Sequence, residues 1–153
     1  MDVKLVAPFV EGVANILPQF GFTQVRRGKL ALKDKLIVTM DVNVLIGLNM
    51  DLHGNVAYAM DEATAKKVAS RMMMGMPVDE LNELAQSAVA ELANMVAAQA
   101  VTILEGIGKR VNISPPTLVM GKNVTVRMSR VKTLVVEMIT EDGTIEINIG
   151  LEV

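Results

Sequence analysis

Between Gln86 and Gln99 the chain reads QSAVAELANMVAAQ, where a hydroxyl (Ser87), a carboxylate (Glu91) and a carboxamide (Asn94) interrupt an alanine-rich run. The intervals of four and three residues place all three on one side of a helix, in consecutive turns, because side chains advance by about 100° per residue. Such a stripe is either the wet face of an amphipathic helix or a docking face. A face built only for solubility usually carries several lysines, arginines and glutamates; this one has a single acid and a single amide. Ala90, Ala97 and Ala98 on its margin would let another surface come close. What chemistry these groups could do is bounded by the rest of the chain. A single histidine, His53, and no cysteine remove most of the usual repertoire of Ser-His, Cys-His and multi-histidine metal chemistry, so reactivity is expected to be borrowed from a partner.

The 153 residues are read as one domain, residues 1–153, long enough to bury a core without metal or disulfide. Absence of cysteine fits a reducing compartment, and the cytoplasm is the expected location. A net charge of −2 and 3% aromatic content argue against nucleic acid as a partner. The segment Ala88 to Leu104 is apolar but carries Glu91, Asn94 and Gln99, so it is read as amphipathic rather than bilayer-spanning. The opening MDVKLVAPFVEG lacks the pattern of a secretory signal.

The elements that must position the stripe follow from periodicity and punctuation. A first helix is expected from Val3 to Phe20, capped by Asp2 and closed by Pro18 and Gly21. Strand-like runs follow from Thr23 to Ala59, with His53-Gly54-Asn55 as a hairpin turn. A second helix runs from Ala63 to Met74 behind the cap Asp61 and ends at Gly75. Asp79 is the expected cap of a long helix from about Glu80 to Glu105, which leaves at Gly106 and Gly108. Its core side would carry Leu81, Ala85, Ala88, Val89, Leu92, Val96 and Ile103. After the Ser114-Pro115-Pro116 turn come VTVRMSR, TLVVEMIT and TIEINIGLEV, the last two joined by the turn Glu141-Asp142-Gly143. Helices grouped between hairpins indicate an α+β fold with a largely antiparallel sheet.

With these residues in place, the sequence resembles the CheX branch of the CheC/CheX/FliY chemotaxis phosphatase family. The family signature is an acid or serine, three residues, Glu, two residues, then Asn, met here by Ser87, Glu91 and Asn94 within SAVAELAN. The flanking MMMGMPVDELNELAQ and the later ISPPTLVMG resemble the same branch. The resemblance implies a CheC-like fold with a pseudo-two-fold internal repeat, and a phosphatase acting on the aspartyl phosphate of a CheY-like receiver. It implies that Asn94 orients the attacking water, that Glu91 pairs with a lysine of the receiver, and that Ser87 is supportive. No cofactor or metal of the chain's own is implied; Mg2+ is expected in the receiver. A homodimer joined edge to edge is implied too, and the apolar TIEINIGLEV suits a strand in need of a partner. The rival reading is a non-catalytic interaction module of the same fold. FVEGVANIL in the first helix echoes the motif, but Glu11 and Asn15 stand four apart instead of three. The extra residue turns Asn15 by about 100° out of the working geometry, so this copy is read as structural.

Overall fold

The structure is a computed structural model that describes residues 3–33, 36–38, 40–122, 125–127 and 132–152. Its backbone is one large antiparallel sheet carrying three helices. In chain order the elements are α1 (Val3–Ile16), a 3-10 turn (Leu17–Phe20), β1 (Val25–Lys33), β2 (Leu36–Val38), β3 (Val42–Met50), β4 (His53–Met60), α2 (Glu62–Met72) and α3 (Glu83–Gly106). Then come β5 (Val111–Ile113), β6 (Thr117–Met120), β7 (Thr125–Arg127), β8 (Thr133–Thr140) and β9 (Gly143–Glu152). The strand order is β1-β8-β9-β4-β3-β5, with β6 also on β3, and β2 pairs with β7 in a separate ribbon.

Alternation along the strands sends one set of side chains toward the helices. Val42, Val44 and Ile46 of β3, Val56 and Tyr58 of β4, Val136 and Met138 of β8, and Ile145, Ile147 and Ile149 of β9 are buried in one core with Phe9, Val13, Leu17, Val68, Val89, Leu92 and Val96. The opposite side of the central strands is closed as well, since Ala57, Ala59 and Asn148 are buried. β5 and β6 share β3: β5 pairs with Leu48–Met50 and β6 with Val42–Leu45. Between them Ser114 Oγ accepts from the Gly47 amide at 2.7 Å and its own N–H reaches the Gly47 carbonyl at 2.9 Å.

Several expectations are met locally. Asp61 caps α2 by accepting from the Thr64 amide at 2.7 Å. Gly21 takes the left-handed conformation that ends the first helical segment, and Lys109 N–H returns to the Leu104 carbonyl past the end of α3.

Others are corrected. The long helix begins at Glu83, not Glu80, because Asn82 caps it by accepting from the Ala85 amide at 2.9 Å. Leu81, still outside the helix, is buried and its carbonyl accepts from Gln86 Nε2 at 2.7 Å. His53-Gly54-Asn55 is no turn: these residues already belong to β4 and pair with Glu152, Leu151 and Gly150. The reversal lies at Met50 to Leu52, where Met50 takes φ 87° and Asp51 is tied to Arg110 through both its amide and its carboxylate. TIEINIGLEV is no edge either, for β9 sits between β8 and β4; the sheet order ends in β1 on one side and in β5, with β6, on the other. α2 stops at Met72, two residues before the expected end. Asp2 and most of VTVRMSR lie outside the described residues.

Two contacts set the helices on the sheet. α1 crosses α3 at Gly12, where an added Cβ would come within 2.7 Å of the Val96 carbonyl oxygen and 3.3 Å of the Ala100 amide. Only a residue without a side chain lets the two backbones meet there. The second contact holds α2 and the start of β1 to the β8–β9 turn. Arg71 is bonded to the Asp142 carboxylate through Nε and Nη2 and lies 4.2 Å over the Phe22 ring. Beside it Glu141 accepts from the Thr23 amide (2.8 Å), the Thr23 hydroxyl (2.6 Å) and the Gln24 amide (3.1 Å). The bonds from Thr23 foremost bring the Glu141 carboxyl from an ordinary value of 4.5 down to about 2.

Gly12→Val is expected to destabilise the fold by about 2–4 kcal/mol, as overpacking at a rigid backbone contact does; equilibrium denaturation checks this, and an unchanged midpoint would contradict the close crossing. Because folding lowers the Glu141 pKa, its contribution is present above about pH 4.5 and is lost as pH falls toward 2. The melting temperature of Glu141→Ala should therefore lie below that of the parent near neutrality and converge on it near pH 2. A gap that stays constant with pH would contradict this assignment.

Candidate functional site

The stripe is carried by α3, whose inward face sets its orientation. Ala85, Val89, Leu92, Ala93, Val96, Ala97, Ala100 and Leu104 are buried, and the helix packs along both α1 and α2 as well as on β3 and β5. By length and composition α3 could also cross a bilayer; here those apolar residues belong to the protein's own core. Beneath Leu92 and Ala93 the floor is apolar, with Val13, Leu17, Tyr58, Met60 and Ile145 around a residual void of about 20 Å3. The Tyr58 hydroxyl is buried there without a hydrogen-bond partner among the described residues, and the other lining side chains offer a carboxylate or a carboxamide nothing to bind.

Ser87 and Glu91 are exposed and Asn94 is half-buried. The structure brings all three onto one outward ridge, continued by Ala98, which is exposed, and flanked by Ala90, which is half-buried. Ser87 to Asn94 is seven residues, about 10 Å along the axis. Among the described residues, no hydrogen bond or ion pair occupies the Glu91 carboxylate or the Asn94 carboxamide. The pair is thus free to engage a second molecule, and Asn94, set lower than Glu91, has its freedom narrowed by the surrounding helix surface.

The small-residue margin is corrected in one respect. Ala97 is 0% exposed, because α1 packs over that side of the helix at the Gly12 crossing, so only Ala90 and Ala98 border the ridge. Of the anticipated core side, Ala88 and Ile103 are only half-buried. Sequence reading passed over Leu84, which is 64% exposed one turn before Ser87. Its signal was available, since 84, 87, 91, 94 and 98 follow the three-four spacing of one helix face. In α1, Glu11, Ala14 and Asn15 are also exposed, with the spacing of four that separates this copy from the motif.

Among the described residues no group of three or more histidine, cysteine, aspartate or glutamate side chains could hold a metal ion. The arrangement offers one anion, one hydrogen-bonding amide and a hydroxyl on a smooth helix surface. It has no nucleophile and base in contact, and no anion cradle. Such a set can bind a cation and direct a small polar molecule, and needs its electrophile delivered by a partner.

Residues 42–139 match the family described as Chemotaxis phosphatase CheX. A relative from Thermotoga maritima, named CheY-P phosphatase CheX, is 32% identical over 127 residues, which are 83% of this chain and 82% of its own. Among solved structures, a CheC-like superfamily protein from Shewanella sp. PV-4 superposes with a TM-score of 0.87 at 28% identity, with 100% of both chains covered. The CheX-CheY-BeF3-Mg+2 complex from Borrelia burgdorferi matches with a TM-score of 0.80 at 28% identity over 97% of each chain. On its sequence and on the architecture that carries the ridge, the chain belongs to the CheX family of chemotaxis phosphatases.

Proposed function

We propose that residues 1–153 act as one phosphatase unit that hydrolyses the aspartyl phosphate of a CheY-like response regulator in the cytoplasm, with Glu91 and Asn94 as its catalytic residues. The observation that carries the reading is the unpartnered Glu91–Asn94 pair on an outward ridge, in a chain related to a protein named CheY-P phosphatase. The Borrelia relative was solved with CheY, BeF3 and Mg+2, which supports a receiver that brings its own metal.

The chemistry asks little of this chain. Water attacks phosphorus in line, the bond from phosphorus to the aspartyl oxygen breaks, the aspartate leaves as carboxylate, and the water protons end on phosphate or solvent. Asn94 cannot carry off a proton near neutrality, yet its carboxamide oxygen accepts a hydrogen bond from water and fixes its direction. Holding one water in line is a positioning effect, and positioning can be worth several kcal/mol. Glu91 supplies a charge-assisted contact to a receiver lysine, which aligns the two proteins and selects among partners. Ser87 supports this face without entering the chemistry. Mg2+ and lysine stay with the receiver.

We also propose a homodimer joined through β1. That strand ends the sheet order, and Leu30 and Leu32 on it are 49% and 62% exposed. An apolar groove between α1 and β1, lined by Val6, Val10 and Leu30, adjoins it. A second copy pairing edge to edge would satisfy the open backbone groups and cover these side chains together.

Substoichiometric amounts of the protein are expected to speed phosphoryl loss from a phosphorylated CheY-like receiver. Asn94→Ala should reduce kcat by about 100-fold while the receiver still binds, and Glu91→Ala should weaken binding as well as turnover. Full activity in Asn94→Ala would overturn the mechanism, and binding without any acceleration by the parent protein would favour the interaction module. Sedimentation should give twice the chain mass, reduced to one by Leu32→Arg; a monomeric parent protein would refute the dimer.

A further inference from the structure

The ridge is asymmetric in polarity along its length. Toward the start of α3 stands Leu84, 64% exposed, and the connection that delivers the chain to this helix exposes Met74 and Met76, at 96% and 58%. Met74 is not loosely displayed. It takes φ 59° in a turn closed by the bonds from Gly75 N–H to the Ser70 carbonyl and from Met76 N–H to the Met73 carbonyl. Beyond Asn94 the same helix face continues instead with Ala98, Thr102 and Glu105, all exposed.

Distance decides which of these a partner must cover. Leu84 is seven residues from Glu91, about 10 Å along the axis and within about 20° of it around the helix. A standard interface of about 800 Å2 per partner is a disc of about 16 Å radius. A protein centred on Glu91 and Asn94 therefore covers Leu84. Ile107, which is 52% exposed past the end of α3, is about 24 Å from Glu91 and falls outside.

From this we infer that the receiver seats over the N-terminal end of α3, with Leu84 as the apolar anchor of docking and a determinant of which receivers are accepted. The inference rests on the phosphatase reading above. The polar pair faces the phosphorylated centre, and Leu84 closes a dry contact on one side of it, where leucine adds affinity without touching the reacting atoms.

The test compares Leu84→Ser and Ile107→Ser, two exposed positions whose replacement leaves the core intact. The assays are turnover of a phosphorylated CheY-like receiver and its binding when charged with beryllofluoride and Mg2+. Leu84→Ser should raise KM and the dissociation constant about tenfold or more with kcat unchanged, while Ile107→Ser changes neither. Unaltered KM in Leu84→Ser, an equal loss in both variants, or a loss confined to Ile107→Ser would each overturn the inference while leaving the phosphatase reading intact. A parent protein that binds the charged receiver yet never accelerates phosphoryl loss fails the phosphatase reading itself, and the inference falls with it.

Discussion

The approach of α1 to α3 at Gly12 is the constraint on which the rest of this structure depends. With no side chain between the helices, the α1 backbone meets the Val96 carbonyl and the Ala100 amide directly, and the rotation of α3 about its own axis is set there. The apolar residues of α3 are thereby committed to the sheet and to α1, and what is left over faces outward. Glu91 and Asn94 stand on the surface because the opposite side is fully used. This is preorganisation by exclusion: the core fixes where the ridge points, and the ridge residues themselves contribute little to holding the fold.

Much of this was legible locally. The α2 cap at Asp61, the antiparallel α+β class and the ridge itself follow from residue types and spacing, since each depends on neighbours close in sequence. What was misread depends on distant partners. Asp79 and Asn82 are both good caps, and burial of Leu81 decides between them. The reversal at Met50 to Leu52 is selected by the tie from Asp51 to Arg110, which no window around His53 contains. Ala97 looked like part of a small-residue margin until α1 was laid over it. β9 shows the limit most plainly: its isoleucines announce a strand, but only the pairing with β8 on one side and β4 on the other turns an apparent edge into an interior.

The chemistry is correspondingly divided between two proteins. A chain with one histidine, no cysteine and no metal-ligating cluster among its described residues is poorly equipped to cleave a phosphoryl bond unaided, and in the proposed reading the receiver brings the phosphate, the metal and the lysine together. What such a centre lacks is a well-aimed solvent molecule and a reason for the water to stay there. In the proposed reading one carboxamide and one carboxylate meet that need, provided their support does not move. The tie among Arg71, Asp142, Glu141 and Thr23 binds α2 and the start of β1 to the β8–β9 turn.

The separation between a committed inner face and an uncommitted outer one has a consequence for how such proteins diversify. Positions 84, 87 and 98 are exposed and can accept new side chains at small cost in stability, so if the ridge is the docking face proposed above, descendants of one ancestral gene can retune whom they recognise, step by step, without passing through unfolded intermediates. A residue gained or lost within α3 has no such latitude, since it would swing every outward group beyond it by about a quarter turn relative to those before it.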